Sequence, residues 1–170
     1  MRKMIVGIFL FLVASSAAAQ TPTAATDITA AQVQAFLKDG PQDRNSDRPI
    51  RVVDAGGYHI GIFGVFRPKN APITASIHQT STSEVYYMLE GAGMLVTGGK
   101  LKDPQTPRPS NMGNWTDVGS SGIEGGFSRR IAKGDVVIIP GGTPHGWASA
   151  EGDITYLIVR TDLDKKISLK

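Results

Sequence analysis

Polar and apolar positions follow two different rhythms along this chain. After a lead-in over Thr21 to Thr26, Val33, Phe36 and Leu37 fall on one face of a helical repeat. Thr29 stands where an N-cap belongs, Gln32 three residues on completes a capping box, and Gly40-Pro41 stop the helix. This short helix packs on the body of the protein and takes no part in chemistry. Pro41 to Pro49 is polar and turn-rich, as a surface loop is. From Arg51 onward the rhythm changes to short β-rich runs: Arg51 to Asp54, Tyr58 to Phe66, Thr74 to His78, Glu84 to Leu89, Gly93 to Val96, Asp135 to Ile139 and Ile154 to Arg160. Gly56-Gly57, Glu90-Gly91, Gly98-Gly99, Gly134-Asp135 and Gly152-Asp153 punctuate them, a pattern of sandwiches and barrels. Lys100 to Ser128 breaks it. Rich in Pro, Gly, Ser and Asn, it predicts a long loop insertion, either a lid or partner-subunit surface or a loosely ordered excursion.

The first 19 residues obey neither rhythm. Arg2 and Lys3 precede an apolar run from Met4 to Ala14, and Ala17-Ala18-Ala19 follow before Gln20, the layout of a cleaved secretory signal. The run is far shorter than the ~20 residues a membrane-spanning helix needs. The expected organisation is therefore a signal peptide over 1–19, a lead-in with one helix over 20–49, and a barrel over 50–162 interrupted by the 100–128 loop. The expected location is periplasmic or secreted, with no membrane association after cleavage.

Charge and composition then remove several functions. The net charge of +3 falls to +1 once Arg2 and Lys3 leave, with 16 basic against 15 acidic residues. Arg129-Arg130 and Lys165-Lys166 are isolated pairs, not a stripe that tracks phosphates, so no nucleic-acid partner is expected. With no cysteine, disulfides, thiolate metal sites and redox dithiols are out, and any metal must rest on His, carboxylate or water. There is no G-x-S-x-G elbow, no phosphate-cradling G-x-x-x-x-G-K loop and no H-E-x-x-H helix.

Two segments carry candidate chemistry. In Ile77 to Gly91, strand alternation turns His78, Thr80, Glu84, Tyr86 and Met88 to one side, and Val85, Tyr87 and Leu89 to the other. In Gly134 to Trp147, an apolar strand enters a tight Gly-Pro turn that delivers His145. The pair resembles the two signature motifs of the cupin superfamily, G-x5-H-x-H-x(3,4)-E-x6-G and G-x5-P-x-G-x2-H-x3-N. Gly134, Pro140, Gly142 and His145 fit the second, with Ser149 in place of its final Asn. His78, Glu84 and Gly91 fit the first, while its leading Gly falls at Pro72 and its second His at Thr80. Together the motifs cover under a quarter of the chain.

The resemblance implies an all-β double-stranded β-helix, or jelly roll, with one divalent transition-metal ion (Fe, Mn, Zn, Ni or Cu) on its inner wall, held by His78, Glu84 and His145. Thr80 is a poor ligand, so one of the family's usual four is missing. Two imidazoles and a carboxylate leave coordination positions open for chemistry, as in facial-triad sites; His59 is a candidate to fill the gap, and lost metal binding is the other reading of it. Tyr86, Met88 and Trp147 share the inward parity and, with Thr80, are candidate pocket residues. Arg67 and Arg129 are candidates for a bidentate grip on a carboxylate, with the surface the expected place for both. The function implied is an exported metal-dependent enzyme acting on a small organic molecule, an oxygenase or a decarboxylase or lyase, with isomerisation also open. The alternative is a cupin that binds a small ligand or a metal without turnover. A homodimer is expected, since cupins commonly pair through barrel strands.

Overall fold

The structure, a computed structural model, describes residues 24–170, so the signal sequence lies outside the described residues. Helix α1 (Ala30–Lys38) is followed by strands β1 (Ser46–Asp54), β2 (His59–Arg67), β3 (Ala75–Gln79), β4 (Ser83–Glu90), β5 (Ala92–Thr97), β6 (Lys100–Lys102) and β7 (Arg108–Pro109). Strands β8 (Thr116–Ser120), β9 (Gly122–Glu124), β10 (Phe127–Ala132), β11 (Val136–Ile139), β12 (His145–Ala150) and β13 (Ile154–Asp162) complete it. Among the described residues no helix is long and apolar enough to cross a membrane.

The strands form two antiparallel sheets and a small β6-β9 ribbon. One sheet runs β1-β2-β13-β4-β11 and the other β10-β5-β12-β3-β8-β7. From β3 to β5 and from β10 to β13 the chain switches sheet at almost every strand, the jelly-roll connectivity that the sequence resemblance implies. Strict alternation drives this arrangement. Along β13 every second residue (Ile154, Tyr156, Ile158, Arg160, Asp162) is buried, and along β4 Glu84, Tyr86 and Met88 are, as the period of two dictates. The apolar members meet Phe63, Val65, Leu95, Ile131, Ile139 and Trp147 between the sheets.

The capping box is present, with the Thr29 side chain accepting from the Gln32 amide and the Gln32 side chain from the Thr29 amide. The helix lies on the outer face of β2, where Gly64 leaves room for Phe36 and Leu37. Arg48 ties the helix to β1, donating to the Phe36 carbonyl at 2.8 Å with its guanidinium over the Phe36 ring. That strand begins at Ser46, five residues before the expected run from Arg51 and inside the stretch whose turn-rich composition suggests a loop. Pro49 is tolerated because β1 is an edge strand and a register shift falls between Pro49 and Arg51.

The 100–128 segment is not the long loop expected. Four short strands and the start of β10 fall within it, and Thr116–Ser120 pairs along the whole of β3 with His78 opposite Asp117. Its Pro and Gly residues are spaced as turns between strands too short to show a periodicity.

Two motif glycines have a backbone reason. Gly91 and Gly134 adopt φ of +82° and +88°, where L side chains are strained, and a Cβ on Gly91 would also press into the Asp153 carbonyl. Gly134 has open space around it. Gly134→Ala should therefore cost about 1 kcal/mol for conformation alone, and Gly91→Ala about 3 kcal/mol for conformation plus clash. Thermal unfolding of both variants checks the ordering; equal losses would contradict it.

Candidate metal centre

Three cross-strand relationships build the site. β4 places Glu84 on the inner wall, β3 supplies His78, and the turn before β12 delivers His145 as its first residue. One ligand atom from each of the three lies within 4.8 Å of the other two. No further His, Asp or Glu joins this group among the described residues.

Hydrogen bonds decide which ring nitrogens face the centre. His145 Nδ1 lies 2.9 Å from the Thr143 carbonyl, which only accepts, so Nδ1 carries a proton and, in the neutral ring, Nε2 has the lone pair. His78 Nδ1 lies 2.6 Å from Asp117 Oδ1, which likewise leaves Nε2 for a ligand. Asp117 is itself fixed by the Trp115 indole N–H at 2.9 Å. A carboxylate behind a histidine is the usual orienting device of metal sites.

Glu84 is 3% exposed yet ionised. Burial would raise its carboxyl, but the Arg160 guanidinium, the His145 hydrogen bond and the charges of both imidazoles hold it well below the usual carboxylate range. Arg160 sits directly opposite Glu84 in the β4-β13 register and donates from Nε to Glu84 Oε1 at 2.7 Å. Its other nitrogens grip Asp47 at 3.1 and 2.6 Å, and its guanidinium lies 4.1 Å from the centroid of the Phe63 ring. Glu84 Oε2 is left toward the centre, accepting from the Tyr86 hydroxyl at 3.2 Å and 3.2 Å from His145 Nε2. Burial would lower His145, but in the protonated ring Nε2–H donates to Glu84, and this hydrogen bond and charge raise it. Burial and the Glu84 charge push Tyr86 far above its ordinary range, so it stays a phenol and a donor.

The His145–Glu84 pair is spaced for one ion. Two ligands ~2.1 Å from one metal and at 90–110° to each other stand roughly 3.0–3.4 Å apart, and the His145–Glu84 separation is 3.2 Å. The widest separation within the trio, up to 4.8 Å, exceeds what two such bonds span and would have to close on binding. A cavity of about 300 Å³ opens beside the centre, lined by His78, His145, Tyr86, Trp147, Tyr156 and Arg67 among others. Gln105, Arg108 and Met112 of the 100–128 segment also border it, so that segment forms part of the wall.

The remaining candidates fall in different places. Tyr86 and Trp147 line the cavity, whereas Met88 is buried in the core between the sheets. Thr80 is buried with its hydroxyl against that of Thr82 at 3.0 Å, and Thr82 rather than Thr80 borders the ligand cluster. His59 is outside the cluster, its Nδ1 donating to the Ile167 carbonyl at 2.7 Å. Arg129 is on the surface as expected, but Arg67 is 4% exposed, because β2 carries it between the sheets. Arg160, Asp47 and Asp117 are the participants that sequence reasoning passed over. The clue for Arg160 was its parity: it shares a face with Ile154, Tyr156 and Ile158.

No protein-family model matches the chain, and no curated protein does. Solved structures do. The EutQ protein of Clostridium difficile is 12% identical over 71% of this chain and 69% of its own, with a TM-score of 0.42. The DMSP lyase DddQ of Ruegeria pomeroyi DSS-3 is 17% identical over 88% of this chain and 81% of its own, at 0.46. HppE with cobalt(II) and substrate is 15% identical over 69% of this chain and 52% of its own, at 0.45. Such likenesses say nothing of activity, and the strand order of the chain itself carries the assignment. The chain has the antiparallel jelly-roll fold of the cupin superfamily, whose paired motifs its sequence resembles.

Proposed function

We propose that this chain is an exported cupin that holds one divalent transition-metal ion on His78, Glu84 and His145 and acts on a small organic molecule in the adjoining cavity. One observation carries the reading: both imidazoles are pinned through Nδ1, by Asp117 and by the Thr143 carbonyl, so both Nε2 atoms are available beside an ionised Glu84. A centre with two histidines and one carboxylate supplies Lewis-acid polarisation or redox chemistry when its ion is bound. Oxygenase and lyase reactions both suit it.

The chain's own residues set the conditions for that chemistry. Arg160 holds Glu84 Oε1, so Glu84 has one oxygen, Oε2, to offer an ion. Tyr86 borders the cavity and spends its single proton on Glu84 Oε2, which fixes the orientation of that oxygen. The rings of Trp147 and Tyr156, 5.8 Å apart, give the cavity an aromatic wall. Export is supported by Arg2-Lys3, the Met4 to Ala14 run and Ala17-Ala18-Ala19. The periplasm or the medium is the proposed location, and a homodimer the proposed assembly.

Non-catalytic ligand binding is the second reading, and the Arg160–Glu84 contact favours it. That ion pair satisfies half of the carboxylate without a metal.

Elemental analysis of untagged protein separates the readings. About one ion per chain is expected, with Glu84→Gln and His145→Ala both metal-free; protein that never takes up metal would overturn the enzyme reading. Asp117→Asn should weaken metal affinity by about 10- to 100-fold, since the neutral amide no longer fixes the His78 ring, and competition with a chelator measures it. Affinity should also fall with acidity. Coordination needs a neutral imidazole, and Glu84 raises His145 above its ordinary 6.5, so protons begin to displace the metal above that pH. A pH titration of metal occupancy checks the sign.

A further inference from the structure

Arg67 is a buried cation without a counter-ion. Its Nη2 donates to two backbone carbonyls, Pro72 at 2.7 Å and Ala71 at 3.4 Å, while its buried Nε has no hydrogen-bond partner. Among the described residues no carboxylate pairs with it, although every other guanidinium around the cavity differs in this respect or in exposure. Arg160 is neutralised by Glu84 and Asp47, and Arg108 stands in solvent on β7. A guanidinium left in this state is costly unless something anionic completes it.

A second donor points the same way. The Tyr156 hydroxyl accepts from the Trp147 indole N–H at 3.5 Å, and its own proton has no acceptor among the described residues. Tyr156 and Arg67 border the same cavity as His78 and His145, and the Tyr156 ring lies tilted against that of Tyr86 with centroids 4.8 Å apart. A chain of contacts therefore runs from Glu84 through Tyr86 to Tyr156.

The overall charge agrees. Asp47, Asp117 and Glu84 balance Arg67, Arg108 and Arg160 around the cavity and the cluster. A divalent ion on neutral imidazoles would leave the space positive, which favours an anionic occupant.

We infer that the cavity takes a small organic carboxylate, its carboxylate bound by Arg67 and Tyr156 while the rest of the molecule extends toward His78 and His145. The planar guanidinium suits two carboxylate oxygens. The inference rests on the metal-centre reading for what happens to the molecule, but the anion grip is a property of Arg67 and Tyr156. The cavity volume suits a molecule of modest size.

Isothermal titration of the zinc-loaded and the chelator-treated protein with propionate, succinate and benzoate tests it, with the matching amides and inorganic phosphate as controls. At least one carboxylate should bind about tenfold or more tightly than its amide. Arg67→Met should weaken that carboxylate about tenfold or more, and Tyr156→Phe by a smaller factor, with metal content unchanged in both. Circular dichroism establishes that the variants are folded, and Tyr156→Phe carries the test if Arg67→Met is not. Equal binding of acid and amide, tighter binding of phosphate than of every carboxylate, unchanged binding in the variants, or no carboxylate binding up to about 10 mM would each overturn the inference. A protein that never takes up metal yet binds carboxylates through Arg67 would overturn the enzyme reading and leave this one standing.

Discussion

Everything around the centre depends on the buried pair Glu84–Arg160. Two adjacent strands bring a carboxylate and a guanidinium directly opposite each other on the inner wall, between rings and aliphatic side chains. A lone carboxylate there would take up a proton sooner than stay charged. Arg160 prevents this by donating to Oε1, and Asp47 and the Phe63 ring complete the guanidinium's own surroundings. Desolvating such groups is costly, so the network is better understood as fixing geometry than as adding stability. It gives Glu84 one orientation and one charge state, and it leaves Oε2 as the oxygen that faces His145.

The histidines are fixed by a comparable logic but with different parts. His145 depends on its own turn: the carbonyl of Thr143, two residues back, selects the tautomer. His78 depends on a remote segment, since Asp117 reaches it only through the pairing of β3 with β8. Trp115 then restrains Asp117. One ligand is thus locally encoded, and the other is held by a part of the chain that looks from its composition like an insertion. The two have equal claims as ligands but unequal tolerance of change.

This difference explains what the sequence discloses. The period of two along Glu84 to Leu89 and Ile154 to Arg160, and the glycines at the turns, are local signals, so the strands and the inward set Glu84, Tyr86 and Met88 can be read directly. The short strands within 100–128 carry no such period. Their order comes from pairing with β3, which no local pattern reveals. Met88 and Tyr86 have the same parity, yet one faces the core and the other the cavity, because parity fixes a side of the sheet and not a depth along it. Arg67 looks like a strand-end surface cation in the sequence. Its burial follows from β2 being a central strand, covered by α1 on one face and by the second sheet on the other.

The absent histidine of the first motif acquires a physical meaning from these placements. Thr80 spends its hydroxyl on Thr82, and His59 spends its Nδ1 on the carboxy-terminal segment, so neither adds a donor to the three converging side chains. Among the described residues no other His, Asp or Glu comes close enough to do so. A fourth donor to an ion at this centre would then come from water or from a molecule in the 300 Å³ cavity that reaches His78 and His145. Replacing one protein ligand by an exchangeable one trades affinity for access. Access is useful only if the exchangeable ligand is selected, and the selecting groups have to be polar, buried and unpaired within the protein. Of the charged side chains lining this cavity, Arg67 is the one in that condition.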